Sequence, residues 1–153
     1  MSPRSISPRS ARRLGVGAAA LVALTLLAGC LNPQQDAVLR ELNQDRTANH
    51  LRTLPTHWQA QQKAQAWAEH LAATGTLQHS NLTSGITVRW CSLGENVGFG
   101  PSVASIEDAY MASSGHRANI LASKWNGVGV GYATGKVNGV TVIFTVHSFI
   151  RTC

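Results

Sequence analysis

The first thirty residues limit the fold most, because they divide the chain into an export signal and one short mature domain. Residues 1–13 contain no acid and four arginines, Arg4, Arg9, Arg12 and Arg13. The apolar run that follows, Leu14 to Ala28, is shorter than the ~20 residues that a permanent transmembrane helix needs. A basic segment, a short apolar segment and small residues before a boundary predict a secretory signal over residues 1–29.

The boundary itself reads Leu27-Ala28-Gly29-Cys30 and resembles a bacterial lipobox. Cleavage would precede Cys30, and acylation of its thiol would add the two or three chains that anchor a protein stably to a membrane. The sequence therefore predicts a lipoprotein outside the cytoplasm, with residues 30–35 as a short tether and residues 36–153 as one domain. An ordinary signal peptide that happens to contain a cysteine is the alternative, and Arg12-Arg13 leaves twin-arginine export open.

The strongly basic character of the chain belongs mostly to the signal. The whole chain carries a net charge of +6, whereas residues 31–153 contain nine Lys and Arg against seven Asp and Glu, a net charge of +2. Nucleic-acid binding requires a clustered basic patch, and the sequence shows no basic run after the signal. Nucleic acid is therefore not an expected partner.

Two cysteines remain once Cys30 is assigned to lipidation, and in an oxidising compartment Cys91 and Cys153 most simply pair. That disulfide would close a loop of about 60 residues and contribute on the order of 4 kcal/mol in the chain-entropy model. Two separate free thiols are the alternative.

Helical periodicity dominates the first half of the mature chain. Asn32-Pro33 is a typical helix start, and the apolar spacing after it predicts a helix to about Ala48. Alanines and larger apolar residues at intervals of three and four predict a second helix over residues 58–74. Gly75 is expected to end that helix at its C′ position.

Residues 106–110 indicate a third helix, and a short helical turn follows from after Gly115 to Leu121. Strand patterns dominate the rest of the second half. Residues 76–102 appear irregular, with one short strand at Ile86–Trp90. Alternation predicts a strand around residues 128–132, a turn at Gly135–Gly139 and an antiparallel partner over Val140–Phe149. Helices followed by late strands predict an α+β layered domain.

Four polar residues are candidates for a functional site: His79, Glu95, Glu107 and His116. Two neutral imidazoles with nearby carboxylates are the ligand types of a zinc site. The spacing of the histidines matches no standard zinc motif, so zinc or another divalent metal is only an expectation. Gly115 next to His116 is expected to adopt positive φ or allow close backbone approach, and Glu107 could equally be a solvated helix acid.

Five motifs in order resemble the CAP superfamily, which includes cysteine-rich secretory, antigen 5 and pathogenesis-related proteins and bacterial relatives. The motifs are Leu42-Asn43-x-x-Arg46, Leu77-x-His79-Ser80, Gly94-Glu95-Asn96-Val97, Asp108-Ala109-Tyr110-Met111-x-Ser113-x-Gly115-His116-Arg117-x-Asn119-Ile120-Leu121 and Val128-Gly129-Val130-Gly131. The resemblance covers roughly residues 37–149.

The resemblance implies a three-layer α-β-α sandwich with a central cleft, where family members bring together two histidines and two glutamates and some bind zinc. By motif, the positions carried over are His79, Glu95 and His116. Glu107 is the nearest candidate for the second glutamate. His147, on the last predicted strand, is expected to have a structural or surface role.

Three functions remain open. The first is a non-enzymatic binding module for a lipid, a cell-wall component or a partner protein, tethered to the membrane through Cys30. The second is an envelope hydrolase, either metal-assisted or built on a Ser80-His-Glu arrangement. The third is a purely structural hydrogen-bond network, which Asn96 and Asn119 would join.

Overall fold

Four helices and three strands make up residues 31–153, the part of the chain that the computed structural model describes. The elements are α1 (Pro33–Ala48), α2 (Trp58–Thr74), β1 (Trp90–Gly100), α3 (Val103–Ala112), α4 (Ser114–Ile120), β2 (Gly127–Val137) and β3 (Val140–Thr152). The signal segment, the lipobox and Cys30 lie outside the described residues. Within residues 31–153, no helix combines the length and the apolar character needed to span a membrane.

The three strands form one antiparallel sheet in the order β1-β3-β2, and helices cover both of its faces. On one face α2 packs against an apolar cluster that includes Val97, Phe144 and Val146. On the other face α1, α3 and α4 share a second cluster with residues of β2 and β3, among them Val130 and Phe149. The expected three-layer α-β-α sandwich is therefore confirmed.

Small residues bring α2 directly onto the backbone of β2. A Cβ atom added at Gly129 would lie 2.0 Å from the backbone of Ala60, and one added at Gly131 would lie 2.1 Å from the Ala64 carbonyl oxygen. Ala60 and Ala64 are one helical turn apart and both are buried. The glycines that alternate along β2 therefore form a flat surface, and the alanines of α2 pack directly against it.

The outer edge of β2 is capped by glutamine side chains from α2. The amide of Gln61 donates to Val130 O at 2.7 Å and accepts from Val130 N at 2.8 Å. Gln65 does the same with Tyr132, at 3.0 and 3.1 Å. These pairs satisfy backbone groups that an edge strand would otherwise expose to pairing with another chain. Neither glutamine was expected from the sequence to take part in the sheet.

Both predicted helix boundaries in the first half of the domain are confirmed. Asn32 caps α1 in a capping box with Gln35, and Pro33 is the first helical residue. The helix thus begins inside the stretch 30–35 that was expected to be a tether. Gly75 follows α2 with φ of 64°, as its C′ position requires.

The short strand expected at Ile86–Trp90 is wrong. The strand begins where that stretch ends and continues as β1 to Gly100, with residues 94–98 buried in succession. Gly94 and Gly98 fall in the stretch that was expected to be irregular, but each lies under an aromatic ring. A Cβ at Gly94 would come within 3.0 Å of Trp125, and one at Gly98 within 2.8 Å of Tyr110.

Two glycine assignments also change. β2 continues through Gly135 to Val137, and the hairpin turn consists of Asn138 and Gly139, with φ of 50° and 80°. Both central residues have positive φ, as a tight hairpin turn prefers. Gly115 lies inside α4 without positive φ, and a Cβ there would meet no atom within 4 Å. The helical break falls at Ser113 instead.

The disulfide between Cys91 and Cys153 is present, with Cα atoms 5.2 Å apart across 62 residues of sequence. It joins the start of β1 to the end of β3, where the register pairs Trp90 with Thr152. The bond therefore closes a pair of strands that already lie side by side.

Candidate functional site

Glu95 is the centre of the first group of polar contacts. Its side chain is fully buried, and one oxygen accepts hydrogen bonds from His79 Nδ1 at 2.8 Å and from Ser80 N at 2.9 Å. The other oxygen accepts the hydroxyl of Ser80. A β1 carboxylate therefore holds the loop that follows α2 by three hydrogen bonds. The His79 ring remains 60% exposed, with its Nε2 directed away from this bond.

His116 approaches from the other side of β1. Its backbone oxygen accepts from Asn96 Nδ2 at 3.2 Å, and its half-buried ring packs on Tyr110 with centroids 5.0 Å apart. Burial lowers the pKa of His116, and the charge of His79 lowers it further. Both causes favour the neutral form of the His116 imidazole.

Asn96 and Asn119 join α4 to β1. Asn119 Nδ2 donates to Glu95 O at 3.2 Å and to Asn96 Oδ1 at 3.0 Å. The Trp125 indole donates in turn to Asn119 O at 2.8 Å. The network expected of these two asparagines is present, and it fixes the strand segment that carries Glu95.

Glu107 and His147 are both buried in the interior, where their side chains lie next to each other. Glu107 is 4% exposed and His147 is 0% exposed, so a solvated Glu107 and a surface-exposed His147 are both wrong. Glu107 Oε2 is 3.3 Å from His147 Nε2, but neither His147 nitrogen has a partner in hydrogen-bonding geometry. Tyr110 separates the pair from His116, because its ring packs against both histidines with centroids 5.0 Å away.

Burial sets the protonation of this pair. It raises the pKa of Glu107 to about 8, with smaller contributions from Asp45, Glu41 and Asp108. It lowers the pKa of His147 to about 3, with a smaller contribution from His116. Because charge is expensive to bury, both groups are neutral at pH 7. Proximity of Glu107 to a histidine was expected, but that histidine is His147.

The described residues do not provide a full set of metal ligands, because the carboxylate of Glu95 is already engaged in hydrogen bonds. His79 Nε2 and the His116 ring are available, whereas Glu95 already accepts from Ser80 and His79 and so acts as the orienting carboxylate behind a ligand. Among residues 31–153, no three His, Cys, Asp or Glu side chains converge as a metal site. His79 and His116 carry imidazole nitrogens, but the described residues show no complete ligand set for a metal.

The contacts of Ser80 bear on hydrolysis. A serine nucleophile must be in hydrogen-bond reach of its base, but the Ser80 hydroxyl donates to Glu95 while His79 bonds the same carboxylate. The two side chains thus share an acceptor instead of forming a Ser-His pair.

A cavity of about 540 Å³ adjoins this group on the α2 side. It lies between α2 and the loop of residues 80–85, and its lining includes Lys63, Trp67 and Ser80. Lys63 Nζ donates to Asn81 O at 2.6 Å and so fixes one wall. The lining combines one large aromatic surface with several polar groups.

Known proteins match this chain by family and by fold. The model of the cysteine-rich secretory protein family, CAP, matches residues 39–148. An extracellular protein with an SCP domain from Bacillus anthracis is 22% identical, with a TM-score of 0.62 over 81% of this chain and 45% of its own. No curated protein is similar enough to count as a match.

Two further solved structures share the fold. An outer surface protein of Borrelia burgdorferi has a TM-score of 0.64 at 16% identity, over 78% of this chain and 93% of its own. A cysteine-rich secretory protein of Staphylococcus aureus has a TM-score of 0.61 at 20% identity, over 78% and 39%. This chain therefore spans less than half the length of the Bacillus and Staphylococcus proteins.

Proposed function

The chain belongs to the CAP family of cysteine-rich secretory proteins, and from that premise we propose that it is an extracytoplasmic binding module. Its ligand-facing cleft contains His79, Glu95 and His116. The arrangement of Glu95 carries the proposal, because its oxygens already accept from His79 and Ser80. The carboxylate therefore anchors a loop and orients an exposed imidazole. This role supports ligand recognition, whereas a catalytic base would need a carboxylate oxygen free to accept a proton from a substrate.

The ligand is a lipid, a cell-wall component or a partner protein that reaches the cavity beside Ser80. Its volume of about 540 Å³ falls within the ~300–1,000 Å³ range of small-molecule sites. The half-buried Trp67 offers an apolar face, while Lys63 and Gln62 offer polar contacts. This mixture suits a ligand with both apolar and polar parts.

A divalent metal such as zinc would be held by His79 and His116 and would modulate the same cleft. Glu95 would orient the His79 ring by accepting from Nδ1, which leaves Nε2 as the ligand atom. When bound, the metal would supply a positive charge that favours anionic or carbonyl-bearing ligands.

The domain is attached to a membrane outside the cytoplasm through an acylated Cys30. The lipobox-like sequence supports this anchor. Mass spectrometry of the wild-type N-terminus should find acyl chains on Cys30, and a Cys30→Ser variant should carry none. A wild-type N-terminus without acyl chains would contradict lipidation.

The cleft is tested with the purified full chain, by metal analysis, by calorimetric titration with Zn²⁺ and by extraction of co-purified lipid. His79→Ala combined with His116→Ala should abolish zinc binding. His50→Asn is the matched control, because it removes an exposed imidazole elsewhere and asparagine tolerates the positive φ at that position. Zinc binding that survives the double variant would overturn the assignment of these ligands.

The non-enzymatic character is tested separately with peptide, ester and cell-wall substrates, with and without Zn²⁺. We expect no turnover in either state. A turnover that the wild-type chain supports and the double variant loses would establish the hydrolase instead.

A further inference from the structure

A second cavity lies at the end of the sheet where β1 begins and β3 ends. It measures about 640 Å³ and is lined by Arg52, Cys91, Ser123, Lys124, Asn126, Arg151, Thr152 and Cys153. Three of the nine cationic side chains in residues 31–153 line this one cavity, and no Asp or Glu side chain is among the lining residues. The small net charge of the domain therefore conceals a local concentration of positive charge.

Trp125 holds two of these cations in place. Arg52 donates from Nη2 to Trp125 O at 3.0 Å, and Lys124 places Nζ 4.3 Å from the centroid of the indole ring. The indole is 1% exposed and donates to Asn119 O, so it is itself fixed. Cations held in advance lose less side-chain entropy when an anion binds than free surface lysines would.

The remaining lining adds hydrogen-bond donors. Arg151 contributes a guanidinium from the end of β3, and Ser123 contributes an exposed hydroxyl. Thr152 accepts from Asn126 Nδ2 at 2.9 Å, which leaves its own hydroxyl proton free to donate. Cations and hydroxyls from three separate segments thus line one cavity.

We propose that this cavity binds a phosphate group carried by a larger envelope molecule. Arginine pairs with phosphate through two parallel hydrogen bonds, and lysine contributes a point charge. The cavity is large enough for a group attached to the phosphate, such as a glycerol or a sugar. The site goes beyond the proposed cleft, because it contains none of the cleft residues and can be tested independently of them.

The test is calorimetric or NMR titration of the purified full chain at low salt with inorganic phosphate, poly(glycerol phosphate) and short-chain phosphatidylglycerol below its micelle concentration. We expect binding that weakens as ionic strength rises. The Lys124→Gln, Arg151→Gln double variant should bind at least tenfold more weakly, because each substitution removes a charge-assisted hydrogen bond to the phosphate. Both side chains are exposed, so the variant should melt as the wild type does.

The matched control is Lys136→Gln combined with Arg40→Gln, which removes the same charge from the hairpin end of the sheet and from α1. This control should bind phosphate like the wild type. An equal loss in the control would reduce the interaction to non-specific charge attraction and overturn the site. If the wild-type chain binds none of the three probes, the site is also overturned.

The three probes separate the sources of the phosphate. Tighter binding of the polymer indicates a phosphodiester chain of the cell wall, and tighter binding of the soluble lipid indicates a headgroup. The His79→Ala, His116→Ala variant should keep its phosphate affinity, so failure of the proposed cleft leaves this result unaffected.

Discussion

Among single residues, Glu95 has the most concentrated set of contacts. Replacing it with alanine removes the acceptor of three hydrogen bonds from His79 and Ser80. Because the freed donors lie in a half-exposed loop and regain water, we expect a loss of about 2 kcal/mol in unfolding free energy. Glu95→Gln keeps one acceptor oxygen and should lose about half as much. Urea denaturation measures both variants, and an unchanged midpoint for Glu95→Ala would exclude a structural role.

Arg46 is a buried guanidinium whose Nε and Nη1 donate to backbone carbonyl groups, whereas its Nη2 has no hydrogen-bond partner within the described residues. It is 0% exposed and donates to the backbone oxygens of Arg52, Ile120 and Ala122. Lysine keeps the charge but cannot reproduce the planar fork of donors. Arg46→Lys should therefore lose about 2 kcal/mol.

The exposed Arg40 on the same helix provides the matched control for Arg46→Lys. Within residues 31–153 its side chain pairs with Asp36 alone, at 3.4 Å on the surface. Arg40→Lys should change the unfolding free energy by less than ~0.5 kcal/mol. Equal effects of the two substitutions in thermal melts would show that the Arg46 carbonyl contacts carry no stability.

Between elements, the closest fit is that of α2 on β2. Gly129→Ala would place a methyl carbon 2.0 Å from the backbone of Ala60, so the helix would have to move off the sheet. We expect a loss of about 3 kcal/mol or failure to fold. Gly115→Ala has open space inside α4 and should gain about 0.5–1 kcal/mol from helix propensity. Melting temperatures that shift in the same direction would contradict this packing.

The same elements show what the sequence could predict. The bounds of α2 were predicted because alanines repeat at helical spacing and Gly75 follows them. β1 was missed because Gly94, Gly98 and Gly100 resemble loop glycines. In β2 a similar alternation was interpreted as a strand, since valines stand between the glycines there. In β1 the residues between them are Glu95, Asn96 and Val97. The loop after α2 contacts Glu95 and α4 contacts Asn96, whereas Val97 packs into the apolar cluster with α2.

In the candidate site, too, some residues could be predicted from the sequence and others could not. His79, Glu95 and His116 could be selected from their motifs, and the structure places Glu95 in contact with His79. The partner of Glu107 could not be selected, because α3 and the last strand are distant in sequence and no local pattern pairs their residues. His147 lies within the β-branched and aromatic run of β3, and that run was the one sequence signal for the complete burial of its side chain.

Across the whole molecule, the layers bury two ionisable groups whose effects on stability oppose each other. Glu107 has its pKa raised from 4.5 to about 8 by burial, so folding retains a proton that the unfolded chain releases. Stability from this group is lost as the pH rises from about 4.5 to 8. His147 has its pKa lowered from 6.5 to about 3 by burial, so the unfolded chain binds a proton that the folded chain does not. Stability from this group is lost as the pH falls from about 6.5 to 3.

The two slopes cancel between about pH 4.5 and 6.5, so this pair should give a plateau of stability that declines on both sides. Glu107→Gln is neutral at every pH and should remove the decline above pH 6.5. It should also extend the acid decline up to about pH 6.5, because nothing then cancels the slope from His147. The measurement is urea denaturation of both proteins across this range, taken as a difference curve so that other groups cancel. Glu69→Gln, an exposed acid on α2, is the control and should give a nearly flat difference. A difference curve for Glu107→Gln that is flat up to pH 8 would mean that Glu107 is ionised in the folded protein, and the neutral buried pair would then be wrong.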